Sequence, residues 1–216
     1  IKLSRMLSEK YPKYNFVPIY WMASEDHDFD EIKSFYSSGK TYSWDIESKG
    51  PVGNLNTEAL KNIFDEDISI PDFFREAYSS SSSLSEAVRK YMNHLFGEYG
   101  LITIDPNSKN LKKSISDIIV DDVVNNTIEK VDKSSEKTSD VYVRKINFFF
   151  QGSDFRERID KTNKYNILST NLSFTEKEIK DKIGSSPELF SPNVITRCLY
   201  QQRILPNICY IGGPAE

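Results

Sequence analysis

Three features of the chain predict an α/β fold. Residues 15–23, Asn-Phe-Val-Pro-Ile-Tyr-Trp-Met-Ala, make a nearly unbroken apolar, aromatic and β-branched run, the pattern of a parallel strand buried on both faces. Residues 84–96 carry apolar side chains at 84, 87, 88, 91, 92, 95 and 96, which is a helical period. Strand-like runs at 101–105 and 141–150 flank a mostly helical stretch at 109–131, apolar at 111, 115, 118, 119, 123, 124, 128 and 131.

The remaining elements are taken in chain order. Residues 1–7 fit the tail of a helix, and Pro18 places the 15–23 strand at or near an end or edge. Residues 40–46 alternate and read as a second strand; Gly50-Pro51-Val52-Gly53 is a turn. A helix at 57–64 has Asn56 as its N-cap, and a short helix at 71–78 has Pro71 in its first turn. Serines 79–83 link it to the 84–96 helix, which ends at Gly97-Glu98-Tyr99-Gly100; the strand after it closes on Asp105. Residues 132–140 are a charged, serine-rich loop, and 154–160 continue a hairpin from the 141–150 strand region. Residues 164–174 are β-rich, and Thr175 with Glu178 forms a capping box for a helix at 175–183. A helix at 194–205 and a last strand at 208–211 complete the reading.

Composition narrows the function. The 216 residues suffice for one domain of generous size, with a core large enough for a packed pocket. The net charge of -4 comes from interspersed acids and bases. Binding along a nucleic-acid backbone requires a Lys/Arg stripe, and none is present. Mean hydropathy is -0.52, and no apolar run reaches the roughly 20 residues that span a bilayer. Two cysteines, Cys198 and Cys209, make no disulfide framework and read as buried, inert thiols, so a reducing cytoplasm is expected. Ile1 opens the chain without Met and Glu216 comes just after a Gly-Gly-Pro turn, so the chain reads as a piece of a longer protein.

Four groups of residues could carry chemistry. Glu25-Asp26-His27-Asp28 directly follows the apolar strand, the place where open α/β sheets bind ligands. His27 can move protons near neutral pH, and flanking carboxylates can orient it or join it around a divalent metal. The plain alternative is a solvated loop. In extended backbone Asp26 and Asp28 share a side while His27 faces the other, unless a turn gathers them. Arg156 and Arg158 lie on one face of a strand and suit a phosphate or carboxylate clamp, or else pair with Asp154, Glu157 or Asp160 on the surface. Ser191 and Asn193 precede a helix bearing Arg197 and Tyr200; its N-terminus suits an anion or is simply capped. Gly212-Gly213-Pro214 lets backbone approach a ligand or is an ordinary turn. His94, one place off its helix's apolar stripe, reads as structural.

Five blocks, in order, resemble the cysteine-adding enzyme family of bacillithiol synthesis, BshC. They are residues 16–29 around Glu25-Asp26-His27-Asp28, then Gly50-Pro51-Val52-Gly53, then Leu95-Phe96-Gly97-Glu98-Tyr99-Gly100-Leu101, then Arg156-Glu157-Arg158-Ile159. The last runs from Pro187-Glu188-Leu189-Phe190-Ser191-Pro192-Asn193-Val194 into Leu205-Pro206-Asn207 and Tyr210-Ile211-Gly212-Gly213-Pro214. Cys198 stands where the pattern leads one to expect proline, and Gln202 where it has an acid.

The resemblance implies a Rossmann-like, mostly parallel core with a helical segment about 56–96 and connecting segments about 109–190. It further implies a C-terminal coiled coil beyond this chain and a homodimer when full-length. Without its upstream glycine-rich segment and coiled coil, this stretch alone is expected to be inactive. The implied reaction joins cysteine to glucosaminyl malate as an amide, with ATP or a related nucleotide activating the carboxylate. His27 then stands as general base or phosphate donor, Asp26 and Asp28 as its orienting or metal-holding partners, and Glu25, Arg156, Arg158, Ser191, Asn193, Arg197, Tyr200, Gly212 and Gly213 as substrate or nucleotide contacts. Two other readings remain open: a nucleotide-binding scaffold without chemistry, and a nucleotidyl transferase or metal-dependent hydrolase built on the Glu-Asp-His-Asp cluster.

Overall fold

The computed structural model describes residues 1–48, 50–66, 69–135 and 142–213. The chain divides into two units, residues 1–106 with 153–155, and residues 107–152 with 156–216. Pro214, the 136–140 part of the predicted loop and Val141 of the predicted strand lie outside the described residues.

In the first unit α1 (Lys2–Lys10) leads to β1 (Ile19–Trp21). The strand is shorter than the apolar run predicts, and it is not buried on both faces: Tyr20 is exposed, and Ile19 and Trp21 are half-buried. Pro18 has no N–H to give, so the ladder begins after it, although its carbonyl still accepts from the Ile102 N–H at 3.0 Å. β2 (Ser34–Ser37) and β3 (Lys40–Ser43) form an antiparallel hairpin. Its turn, Ser38 and Gly39, has φ of 50° and 82°, the left-handed pair that suits the twist of a two-residue hairpin. Only β3 was legible, because Phe35 and Tyr36 sit side by side and give no alternation.

α2 (Glu58–Glu66) begins where Asn56 Oδ1 accepts the Glu58 N–H at 2.7 Å, as predicted. α3 (Asp72–Ser79) follows Pro71, and α4 (Leu84–Phe96) is capped by the Ser83 side chain. Gly100, at φ 73°, turns the chain into β4 (Ile102–Ile104). β4 pairs in parallel with β1, Ile19 opposite Ile102 and Trp21 opposite Ile104. Phe29, Trp44, Val52, Leu60, Phe64 and Ile70 form the buried core. His94 stacks on Phe73 with ring centroids 4.4 Å apart, in keeping with a structural part.

In the second unit the predicted 109–131 stretch is three helices: α5 (Lys109–Lys113), α6 (Ser116–Val123) and α7 (Thr127–Ser134). Asn126, at φ 53°, breaks the last two apart; Asn tolerates this conformation because its short side chain bonds locally, here to the Asp122 carbonyl, and it also reaches the distant Lys145 carbonyl. β5 (Phe148–Gln151), β6 (Arg156–Lys161), β7 (Tyr165–Ile167) and β8 (Ser173–Phe174) precede α8 (Glu176–Ser185), which has the predicted Thr175–Glu178 capping box. β9 (Phe190–Pro192) and α9 (Val194–Ile204) come next. The sheet order is β8-β7-β6-β5-β9, antiparallel throughout. Among the described residues the expected parallel pairing is thus confined to β1 and β4. Phe148, Phe150, Ile159, Ile167 and Phe190 are buried along this sheet, and Ile119, Ile179 and Ile183 are buried on the helices α6 and α8.

Two expectations fail. Residues 208–211 form no strand among the described residues; Ile208 and Ile211 are 71% and 75% exposed, with no partner strand to satisfy their backbone. Cys198 and Cys209 are exposed rather than buried. α9 buries Thr196, Tyr200 and Gln201, so its inward stripe is largely polar, and Val194, Cys198 and Leu199 face outward. No described helix is long and apolar enough to cross a membrane.

A buried polar network joins helix to sheet in this unit. Asp122, fully buried, accepts from the Asn147 N–H at 2.5 Å and from its Nδ2 at 2.9 Å. Burial pushes the Asp122 carboxyl above its ordinary pKa, and the hydrogen bonds from Asn147 oppose that shift. The folded state therefore holds this proton to higher pH than the unfolded chain, and the group's contribution to stability falls as pH rises above about 4. Asp122→Asn should cost about 1–3 kcal/mol by orphaning an Asn147 donor. The cost should be largest near pH 4 and shrink toward neutral pH, as read by urea unfolding at a series of pH values.

Candidate functional site

The first candidate site lies at the carboxyl ends of the parallel strands. The ladder runs one residue past β1, where the Met22 N–H donates to the Ile104 carbonyl at 3.0 Å. Ser24 and Asp105 lie just beyond β1 and β4, and the Ser24 hydroxyl donates to Asp105 Oδ1 at 2.5 Å. This bond ties the two strand ends where an open α/β sheet receives its ligand. In the sequence Asp105 marks the end of a strand and Ser24 belongs to the motif, but neither stands out as a site residue. The available signal was that two strands each end on a small or acidic polar side chain.

The chain then turns. The Asp26 N–H donates to the Ala23 carbonyl at 3.1 Å, and Asp26 Oδ1 accepts the His27 N–H at 2.8 Å. The turn gathers what an extended chain would separate: His27 Nδ1 lies 3.5 Å from Asp26 Oδ1, with both side chains about half exposed at 49% and 43%. Glu25 is buried on one side of the loop and Phe29 on the other, where its ring meets Trp44 edge-on at 5.3 Å. His27 and Asp28 are exposed between these two anchors. The Asp26 oxygen nearest the imidazole is the one that accepts the His27 N–H, so the ring and the carboxylate are held in proximity through the backbone of the turn. Among the described residues no three His, Cys, Asp or Glu side chains are grouped to hold a metal ion.

The Gly50–Gly53 turn is the splint of this loop. The Val52 N–H donates to the Asp26 carbonyl at 2.7 Å, and the Gly53 N–H to the Ser24 carbonyl at 2.9 Å. A Cβ on Gly53 would lie 2.5 Å from Ser24 Cβ and 2.8 Å from its carbonyl oxygen. A Cβ on Gly50 would lie 2.3 Å from the Ser153 carbonyl oxygen. Both glycines are set by close approach of backbone, a reason the sequence pattern, which shows only a turn, does not supply.

The other predicted residues fall in the second unit. Arg156 and Arg158 share a face, but their surroundings differ. Arg156 Nε donates to the Ser191 hydroxyl at 2.9 Å, its NH2 to the Pro192 carbonyl at 3.0 Å, and its guanidinium lies 4.0 Å from the Phe149 ring centroid. Neither Asp154, Glu157 nor Asp160 is its partner in these bonds; it bridges β6 to β9. Arg158 is exposed opposite Phe149. Ser191 is fully buried. Asn193 caps α9, its Oδ1 accepting from Ile195 and Thr196 at 2.9 and 3.0 Å while its Nδ2 donates to Asn147 Oδ1. Those amides are therefore engaged by the cap itself. Arg197 is half-buried and Tyr200 fully buried, the latter 5.9 Å from the buried Lys112 ammonium, which donates to the Phe190 carbonyl at 2.5 Å. Gly212 and Gly213 are exposed, with nothing within 4 Å of a Cβ built on Gly213.

The family model described as bacillithiol biosynthesis BshC, N-terminal Rossmann-like domain, matches residues 1–216. The chain belongs to the BshC family. Its α/β architecture is that of the family's Rossmann-like domain. A Flavobacterium psychrophilum protein is 42% identical to it and one from Flavobacterium johnsoniae 40%, each over the whole of this chain and 44% of the relative. A Cytophaga hutchinsonii protein is 40% identical over the whole chain and 43% of its own length. All three are named "Putative cysteine ligase BshC". The chain thus spans less than half the length of the curated relatives it matches.

Gly53→Ala should lower stability by about 1–3 kcal/mol, the usual cost of overpacking a close contact. Gly100→Ala, at a site with φ of 73° but open surroundings, serves as a backbone-strain control without the clash. Thermal melts and the His27 imidazole chemical shift should separate the two, since only the Gly53 change moves the loop that carries His27.

Proposed function

We propose that this chain is the nucleotide-handling core of a cysteine ligase that joins cysteine to glucosaminyl malate in bacillithiol biosynthesis. The observation that carries the reading is the whole-chain family match to proteins named as cysteine ligases. The half-exposed His27–Asp26 pair at the carboxyl end of β1 supports it with a proton acceptor.

Amide formation from a free carboxylate is uphill in water. The cysteine carboxylate first attacks a phosphorus of an ATP-type nucleotide, giving an acyl phosphate or acyl adenylate and releasing ADP or pyrophosphate. The glucosamine amine then attacks the activated carbonyl. The C–N bond forms, the C–O bond to phosphorus breaks, and the amine's proton leaves to a base. His27, oriented by Asp26, takes that proton; Asp28, exposed beside it, helps hold the incoming neutral amine through its N–H groups. Ser24 and Asp105 keep the two strand ends together beneath the reacting groups. In the second unit Arg158, exposed on β6, is a contact for a phosphate or carboxylate group, while Arg156, Ser191 and Asn193 shape the strand and helix that present it. The full-length protein acts as a homodimer in the cytoplasm.

The test uses full-length protein with cysteine, glucosaminyl malate and ATP. The wild type should form the cysteinyl amide with stoichiometric release of ADP or AMP. His27→Ala should lower kcat by about 100-fold or more, the scale of a lost general base, with a melting temperature close to wild type because the side chain is half exposed. Undiminished amide formation by His27→Ala removes His27 from this role. Nucleotide consumption without cysteine, or binding without turnover, removes the ligase reading itself.

A further inference from the structure

We infer that the aromatic cavity of the first unit is the seat of a nucleobase, committed here to the purine of the ATP-type nucleotide. This rests on the proposed nucleotide dependence and adds to it a place and a mode of recognition. The cavity has a volume of about 540 Å³, within the range of small-molecule sites. Tyr20, Trp44, Phe64, Phe74, Tyr78 and Tyr91 give it aromatic walls, and Met22, Ala23 and Ser24 bring the carboxyl end of β1 to its edge.

Three observations choose the occupant. First, no Asp or Glu among the described residues lines the cavity, and the charged side chain that does, Lys33, is engaged by Asp30 at 2.6 Å. Among the described lining residues an ammonium group has no counter-ion, which favours an uncharged occupant over cysteine or an amino sugar. Second, the lining is mostly apolar, and a hydroxyl-rich sugar or a dicarboxylate would leave its polar groups unpaired. A flat, uncharged heterocycle suits aromatic walls, because every base offers a π-face to stack. Third, Trp44 is only 3% exposed, lines the cavity, and its indole Nε1–H has no hydrogen-bond partner among the described residues. Buried donors are almost always paired, so this one calls for an acceptor from outside the chain. A purine ring nitrogen supplies it. The Tyr78 and Tyr91 hydroxyls, whose pKa values burial pushes up, stay protonated and add neutral polar groups to the same walls. Because Ser24 lines the cavity and also begins the loop that carries His27, a base seated here would send its phosphates toward the strand ends.

The experiment titrates adenosine and, separately, inorganic tripolyphosphate into the full-length protein by calorimetry. Wild type should bind adenosine. Trp44→Phe, which keeps a ring and deletes the donor, should weaken adenosine about fivefold, the effect of one neutral hydrogen bond. Val88→Phe, which fills the cavity from α4, should abolish adenosine binding. Neither should change tripolyphosphate binding. If Trp44→Phe does not fold, as shown by its melt, Val88→Phe decides. Adenosine that fails to bind wild type, or binds Val88→Phe as tightly as wild type, overturns the assignment. If ATP is still consumed with cysteine at an unchanged KM by both variants, the ligase reading stands and this one falls. If adenosine binding follows the cavity while no nucleotide is consumed, the reverse holds.

Discussion

The first unit depends on the close approach of two backbones. The Gly50–Gly53 turn lies so near residues 24–26 that its amides can donate to the Ser24 and Asp26 carbonyls. Only a glycine at 53 permits it, since any Cβ would sit inside the Ser24 side chain. Those two bonds satisfy carbonyls that the β1–β4 ladder no longer reaches, at the point where the strand ends. They let a short polar loop leave the end of β1 without stranding its backbone. The loop is then pinned by the buried Glu25 and Phe29, with Asp26, His27 and Asp28 presented between them. The acidic-histidine cluster is thus neither a wet random loop nor four converging ligands. It is a pinned loop that presents His27 half exposed, with the Asp26 carboxylate 3.5 Å from its Nδ1.

The second unit is organised by a different constraint, the satisfaction of buried polar groups. Asp122 and Asn147 are both fully buried, and their mutual bonds extend through Asn193 and Thr196 to the start of α9. Each member satisfies the next, the condition under which a buried polar network specifies one arrangement. Arg156 serves the same end across the sheet, joining β6 to the buried Ser191 and resting on Phe149. Several residues that look like ligand contacts by type and position therefore have identified structural work. That is the physical reason a Ser-Pro-Asn before a helix can match a family block while its amides are already bonded.

Periodicity made most of the fold legible: α4 was read to the residue, and the Asn56 and Thr175 caps were read from side-chain chemistry alone. Legibility failed where tertiary pairing decides. Pro18 cut β1 short, Asn126 divided a continuous helical pattern, and the Phe35-Tyr36 pair concealed β2. Cys198 was misplaced because α9 buries a polar stripe, so its apolar residues do not mark its inward face. Of the site, the position of the cluster after a strand is readable, and so is its family; the burial expected of that strand is not found. The splint is not readable. A glycine needed for close approach and a glycine in an ordinary turn are the same letter, and only the distance to Ser24 tells them apart.

The loop and the cavity are built on shared residues. Ser24 and Gly53 are the two residues of the close contact, and both line the aromatic cavity. Val52 is both a donor to the loop and part of the buried core that shapes the cavity wall. A ligand that presses on this wall presses on the contact that sets His27. In a close-packed interior such a displacement is not absorbed locally, because there is no void at Gly53 to take it up. The cavity wall and the loop that carries His27 therefore share the Ser24–Gly53 contact.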